Sequence, residues 1–142
     1  MVSEITDVYD YVVNKRSKSK RTVFDLKYLE GWLEWANAHE FLFIHKINEK
    51  IDGVFVVIPV GTFETHPTID QLINACNYQY PEETTDYFIM DGLVDNSVAR
   101  LNIAKKIKDK FPRMATTAKT YAQKGDKIWV IPVKYQRNFT KY

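Results

Sequence analysis

Residues 86–121, DYFIMDGLVDNSVARLNIAKKIKDKFPRMATTAKTY, constrain the fold of this chain more than any other stretch. An apolar run rich in β-formers gives way to a short polar turn, a basic amphipathic segment and a second β-rich run. Val98, Leu101, Ala104, Ile107 and Phe111 recur at helical spacing, which predicts a helix over Ser97–Lys110 that Pro112 ends. The unit is therefore a strand–turn–helix–strand crossover, and a sheet that contains it is mixed. Asp95, Asn96 and Ser97 offer three N-caps in the turn, and the helix points the positive end of its dipole back at the strand. That arrangement suits a phosphate-bearing ligand, and it equally suits a capped helix that only packs on a sheet.

The rest of the chain supplies hairpins and further helices. Ile5, Val8, Tyr9 and Val12 predict a helix over residues 3–14, and the basic run 15–21, KRSKSKR, reads as a solvated loop or frayed helix end. A second helix follows Asp25, with Leu26, Leu29, Leu33 and Ala36 on one stripe and His39 at its end. Residues 40–47 and 53–60 read as an antiparallel hairpin closed by a loop of about five residues, NEKID. The second of these strands is almost uniformly apolar, as a strand buried on both faces is, and Pro59 marks an edge, a bulge or a bend. Thr68 and Gln71 form a capping box before a short third helix. A last hairpin is expected to pair residues 114–123 with 127–135 around Lys124, Gly125 and Asp126, and a basic tail follows from about 136.

Nothing divides this order into parts, so 142 residues with 45% hydrophobic composition predict one domain of α+β class, a largely antiparallel mixed sheet flanked by helices. Twenty basic residues against eighteen acidic ones leave a net charge of +2, which argues against a global field for nucleic acid. No segment approaches the roughly 20 apolar residues of a membrane span, and the acidic N-terminus does not read as a secretory signal. A cytoplasmic protein, or one packaged in a virion, is the expectation. Cys76, the single cysteine, reads as a buried apolar residue, and no metal site is expected.

The order of helices, hairpin, central strand and following helix resembles the GNAT (GCN5-related N-acyltransferase) superfamily. YFIMDGLVDN, followed by a basic helix that closes on KDKFP, looks most like the branch of RTX toxin-activating acyltransferases, some members of which fit a phage setting. The resemblance implies an N-acyltransferase that moves an acyl group from acyl-CoA or acyl carrier protein to an amine, including a protein lysine. Under it, Gly92, Leu93 and Val94 line the pantetheine arm, while Asn96, Ser97, Val98, Ala99 and Arg100 meet the phosphates. Asp91 is then the base, with His66 near the same cleft and Tyr121 as acid for the departing thiolate.

The sequence departs from that pattern in two places. The family's glycine-rich loop is replaced by Asn96-Ser97-Val98-Ala99-Arg100, and residues 1–25 hold no histidine to partner the strand aspartate. Each candidate also has a plainer role: Asp91 as a strand-end acceptor of backbone N–H groups, His66 as a surface loop residue, Tyr121 as packing. A second function follows from these departures, a catalytically degenerate binding or structural protein that assembles with other macromolecules.

Overall fold

The computed structural model describes residues 2–19, 26–76, 78–81, 85–115, 118–124 and 127–131. Five strands form one sheet in chain order: β1 (Leu42–Ile47), β2 (Lys50–Gly61), β3 (Asp86–Val94), β4 (Thr120–Lys124) and β5 (Lys127–Val130). Every neighbouring pair is antiparallel except β3 and β4, which run parallel because α4 (Ser97–Lys110) carries the chain back along the sheet. The class is α+β. No helix among the described residues is long and apolar enough to cross a membrane.

The apolar run of β2 packs in both directions. Val54, Val56 and Ile58 join the cluster built with α1 (Val2–Ser19), α2 (Leu26–Ala38) and α3 (Ile69–Ala75); Phe55 and Val57 join the cluster built with α4. A strand alternates its side chains between the two faces, so only a doubly covered strand carries this pattern. Each of these fully buried aliphatic side chains stabilises the fold by about 1.5–3 kcal/mol. Pro59 is tolerated because Val57, two residues earlier, donates its N–H to Phe41 just before β1 begins. The missing donor of Pro59 faces the same side, beyond the end of β1.

Several expected boundaries move. Helix α1 continues through Ser19 into the basic run, since Lys, Arg and Ser carry no helix-breaking geometry. The loop between β1 and β2 is a two-residue turn, with Asn48 and Glu49 at φ 50° and 67°, because the ladder extends to the pair Ile47–Lys50. On α4 the inward stripe is Ala99, Ile103, Ala104 and Ile107, while Val98 is 60% exposed. Ile103 and Ala99 close over Gly53, where an added Cβ would lie 2.7 Å from Ile103 Cδ1 and 3.2 Å from Ala99 Cβ. Pro112 starts a 3-10 turn (Pro112–Ala115), so β4 begins at Thr120 and not near 114. Gly125, Asp126 and everything beyond 131 lie outside the described residues.

Candidate functional site

The C-terminal end of β3 gathers polar side chains from three elements. Asn96 is the N-cap chosen from the three candidates: its Oδ1 accepts from Ala99 N–H at 2.8 Å, and its Nδ2 donates to Asp52 Oδ2 at 3.0 Å. The other oxygen of Asp52 accepts from His45 Nδ1 at 2.6 Å. Asp52 is only 4% exposed. It reaches this cluster because the β1–β2 register steps from His45–Gly53 to Lys46–Ile51, which leaves Asp52 as the extra residue of a bulge, and bulges re-aim side chains.

Burial pushes the Asp52 carboxyl up, but the bonds from Asn96 and His45 and the charge of His45 outweigh it and hold the group below its ordinary value. The carboxylate therefore stays ionised and fixes the tautomer of its partner. With Nδ1 committed to Asp52, His45 presents Nε2, which has no partner among the described residues. An imidazole oriented by a buried carboxylate is the arrangement of a general base.

Beside this pair lies a second carboxylate, Asp95, whose N–H donates to the Asp52 carbonyl at 2.8 Å. Its Oδ1 accepts from Tyr11 OH at 3.1 Å and pairs with Lys15 Nζ, which ties α1 to the start of α4. Burial, followed by the charge of Asp95, raises the Tyr11 phenol, so Tyr11 acts as a neutral donor. The positive end of α4 thus faces two protein carboxylates, and an anion at the cap would meet them both.

The parallel strands β3 and β4 part next to this cluster. Their pairing spans three register pairs, Tyr87–Thr120, Phe88–Tyr121 and Ile89–Ala122, and then stops, although both strands continue. It stops where β3 carries its own bulge: β2 pairs Val57 with Ile89 and Val56 with Asp91, so Met90 is the extra residue. Among the described residues, no strand pairs with the backbone of β3 from Met90 to Val94 on the β4 side.

The sequence-predicted residues distribute unevenly around this divergence. Asp91, Gly92, Leu93 and Val94 lie on the unpaired half of β3, and Ser97 and Val98 keep first-turn N–H groups that no intrahelical carbonyl can reach. Ala99 is fully buried under the cap, so its N–H and side chain are unavailable to a ligand, whereas Arg100 is exposed. For Asp91 only the backbone placement is described. Tyr121 is 2% exposed in the cluster under α1, with Phe63 at 5.9 Å and His66 at 6.3 Å between ring centroids. His66 is exposed and its Nε2 donates to the Ile128 carbonyl at 2.8 Å. His66 and Tyr121 therefore meet each other, but away from the Asp52 cluster. Burial raises the Tyr121 phenol further, with the charge of Asp86 adding to it.

His45 and Asp52 escaped sequence reasoning because a pair seven residues apart across a turn has no motif. A two-residue turn followed by a bulge would have shown it. Among the described residues no three His, Cys, Asp or Glu side chains gather as metal ligands do. Comparison with family models, curated proteins and solved structures finds no match.

Proposed function

We propose that the chain is an N-acyltransferase working by direct transfer, in which His45 is the general base and Asp52 orients it. The reading rests on one observation, the 2.6 Å His45–Asp52 pair set in the same row of the sheet as the unpaired end of β3. His45 faces Gly53 and Gly53 faces Val94, so two strand spacings, about 10 Å, separate the imidazole strand from the strand that would line the acyl-pantetheine arm.

In this reaction the acceptor amine nitrogen bonds to the thioester carbonyl carbon, its proton passes through bridging water to His45 Nε2, and the carbon–sulfur bond breaks to release the thiolate. Asp52 stabilises the imidazolium as it forms. Backbone N–H groups in the unpaired half of β3 are the donors for the carbonyl oxygen, and Arg100 is the cation that meets the phosphates of acyl-CoA or of an acyl carrier protein. This assignment replaces Asp91 as base with His45 and leaves Tyr121 to packing.

The test is thiol release from acetyl-CoA, a long-chain acyl-CoA and an acylated carrier protein, with a polyamine or a lysine-rich protein as acceptor. His45→Gln is expected to lower turnover by roughly 10²–10⁴-fold without weakening donor binding. Full activity in that variant removes the proposed base.

The carboxylates Asp52 and Asp95 at the α4 cap favour a second reading, a degenerate binding or assembly protein of the same fold that has lost donor recognition. No heat of binding for any donor, together with no thiol release, selects it. Arg100→Glu is the calorimetric control that separates specific phosphate contact from background.

A further inference from the structure

A cavity of about 480 Å³ opens at the end of the sheet opposite His45 and Asp52. It exists because several elements stop short there. β1 begins level with Val56, so β2 runs on alone on that side past Pro59, while α2 and α4 end at Ala38 and Lys110 around the gap. Some of the terminal carbonyls are already satisfied: His39 and Phe41 donate backbone N–H groups to Trp35 and Ala36, and Phe111 donates to Ile107. Beyond them a ligand meets the wall itself.

That wall is aromatic and fixed. Tyr87 and Phe111 pack at 4.7 Å between centroids, Trp35 and Phe41 at 5.7 Å. Tyr80 is held against Gly61, where φ is +74° and an added Cβ would lie 2.6 Å from the Tyr80 ring. The two ring pairs, tilted 42° and 58° respectively, offer faces and edges against which an aromatic ring packs better than a branched aliphatic group.

One charge enters this wall. Lys110 Nζ stands 5.8 Å from the centroids of both Phe41 and Phe111, and among the described lining residues there is no carboxylate. Among the described residues Lys110 pairs with Glu40 at 3.6 Å, whose side chain is 84% exposed and competes weakly. Cys76 supplies no reactive group, because its thiol donates to the Leu72 carbonyl and burial pushes it up to about 12.

We propose that this cavity is a binding site for a small planar aromatic carboxylate, its rings against the part-exposed Trp35 and Phe41 and its carboxylate on Lys110. Its volume lies within the range of roughly 300–1,000 Å³ typical of small-ligand sites. The site is independent of the acyl-transfer reading, since it lies at the other end of β2.

The test titrates the full chain with 2-naphthoate, 2-naphthalenemethanol and 2-naphthylmethylammonium, following calorimetry and amide chemical shifts. Saturable single-site binding is expected, with the carboxylate about tenfold tighter than the alcohol and the ammonium weakest. Shifts are expected at Trp35, Phe41 and Lys110. Lys110→Met keeps the apolar stem and should remove the tenfold preference while leaving the alcohol unaffected. An ammonium that binds as well as the carboxylate, shifts elsewhere, an unchanged Lys110→Met, or no saturation overturns the proposal. The wild-type comparison of the three probes decides the matter even if the variant fails to fold.

Discussion

The two ends of β2 solve different problems with one strand. At Asp52 the chain uses irregular backbone, a positive-φ turn and a bulge, to bring a carboxylate and an imidazole together in a buried setting. At Pro59 it uses absence, strands and helices that stop early, to leave a chamber walled by rings. The polar end is thus specified by hydrogen bonds that orient side chains, and the aromatic end by ring packing that walls an open chamber. Substitutions at the first should change chemistry and pH response more than stability; substitutions at the second should do the reverse.

The largest effect is expected from Phe111→Ala, which deletes a ring touching Tyr87, Phe41 and Phe43. It should cost about 3–5 kcal/mol in urea unfolding. His45→Gln, measured alongside, should cost less than about 1 kcal/mol; a larger loss for His45→Gln than for Phe111→Ala would break the contrast between the two ends.

Asp52→Asn comes next, at about 1–3 kcal/mol near neutral pH, because it removes a charged acceptor from two hydrogen bonds in a buried site. The folded state holds this carboxyl below its ordinary value, so its contribution is complete above about pH 3.9 and is lost as the pH falls through the folded pKa. The stability difference between wild type and Asp52→Asn should therefore shrink on acidification from about pH 7 to about pH 3. A difference that is constant or grows would show that Asp52 is not held ionised by the cluster.

Much of this was legible in the sequence, and the reasons differ by element. The capping box of Thr68 and Gln71 and the helix from Ser97 to Lys110 follow from local rules, and both form at the expected residues. On α4, Ala104, Ile107 and Phe111 are buried as their spacing predicts, whereas Val98 obeys the spacing yet points outward; Ala99 wins the inward place because only a small side chain fits over Gly53. The strand expected from 114 begins at Thr120, as a proline-initiated turn overrides β-propensity. Of the candidate site, the position of Asn96 could be read and the His45–Asp52 pair could not, because long-range pairing depends on a bulge that leaves no compositional trace.

Asn96→Ala sharpens the polar end by removing the cap and one donor to Asp52 together. A loss of about 0.5–2 kcal/mol is expected in thermal unfolding, smaller than for Asp52→Asn. The smallest effect belongs to the aromatic end: Glu40→Gln should change stability by less than about 0.5 kcal/mol, given an exposed partner for Lys110, while tightening 2-naphthoate modestly. Weaker naphthoate binding in Glu40→Gln would show that Glu40 positions Lys110 instead of competing for it.

The turn at Asn48 and Glu49 carries a consequence for how this protein can change. Since neighbouring strand positions face opposite sides, the register between the strand of His45 and that of Asp52 behaves as a parity. A one-residue slip of β1 against β2 would send the imidazole to the face of the α1 helix, together with Phe43. A slip of two residues would restore the face but carry His45 about 7 Å along β2, away from Asp52. A length change in this hairpin therefore keeps the pair only where the turn or the bulge absorbs it and the register stays fixed.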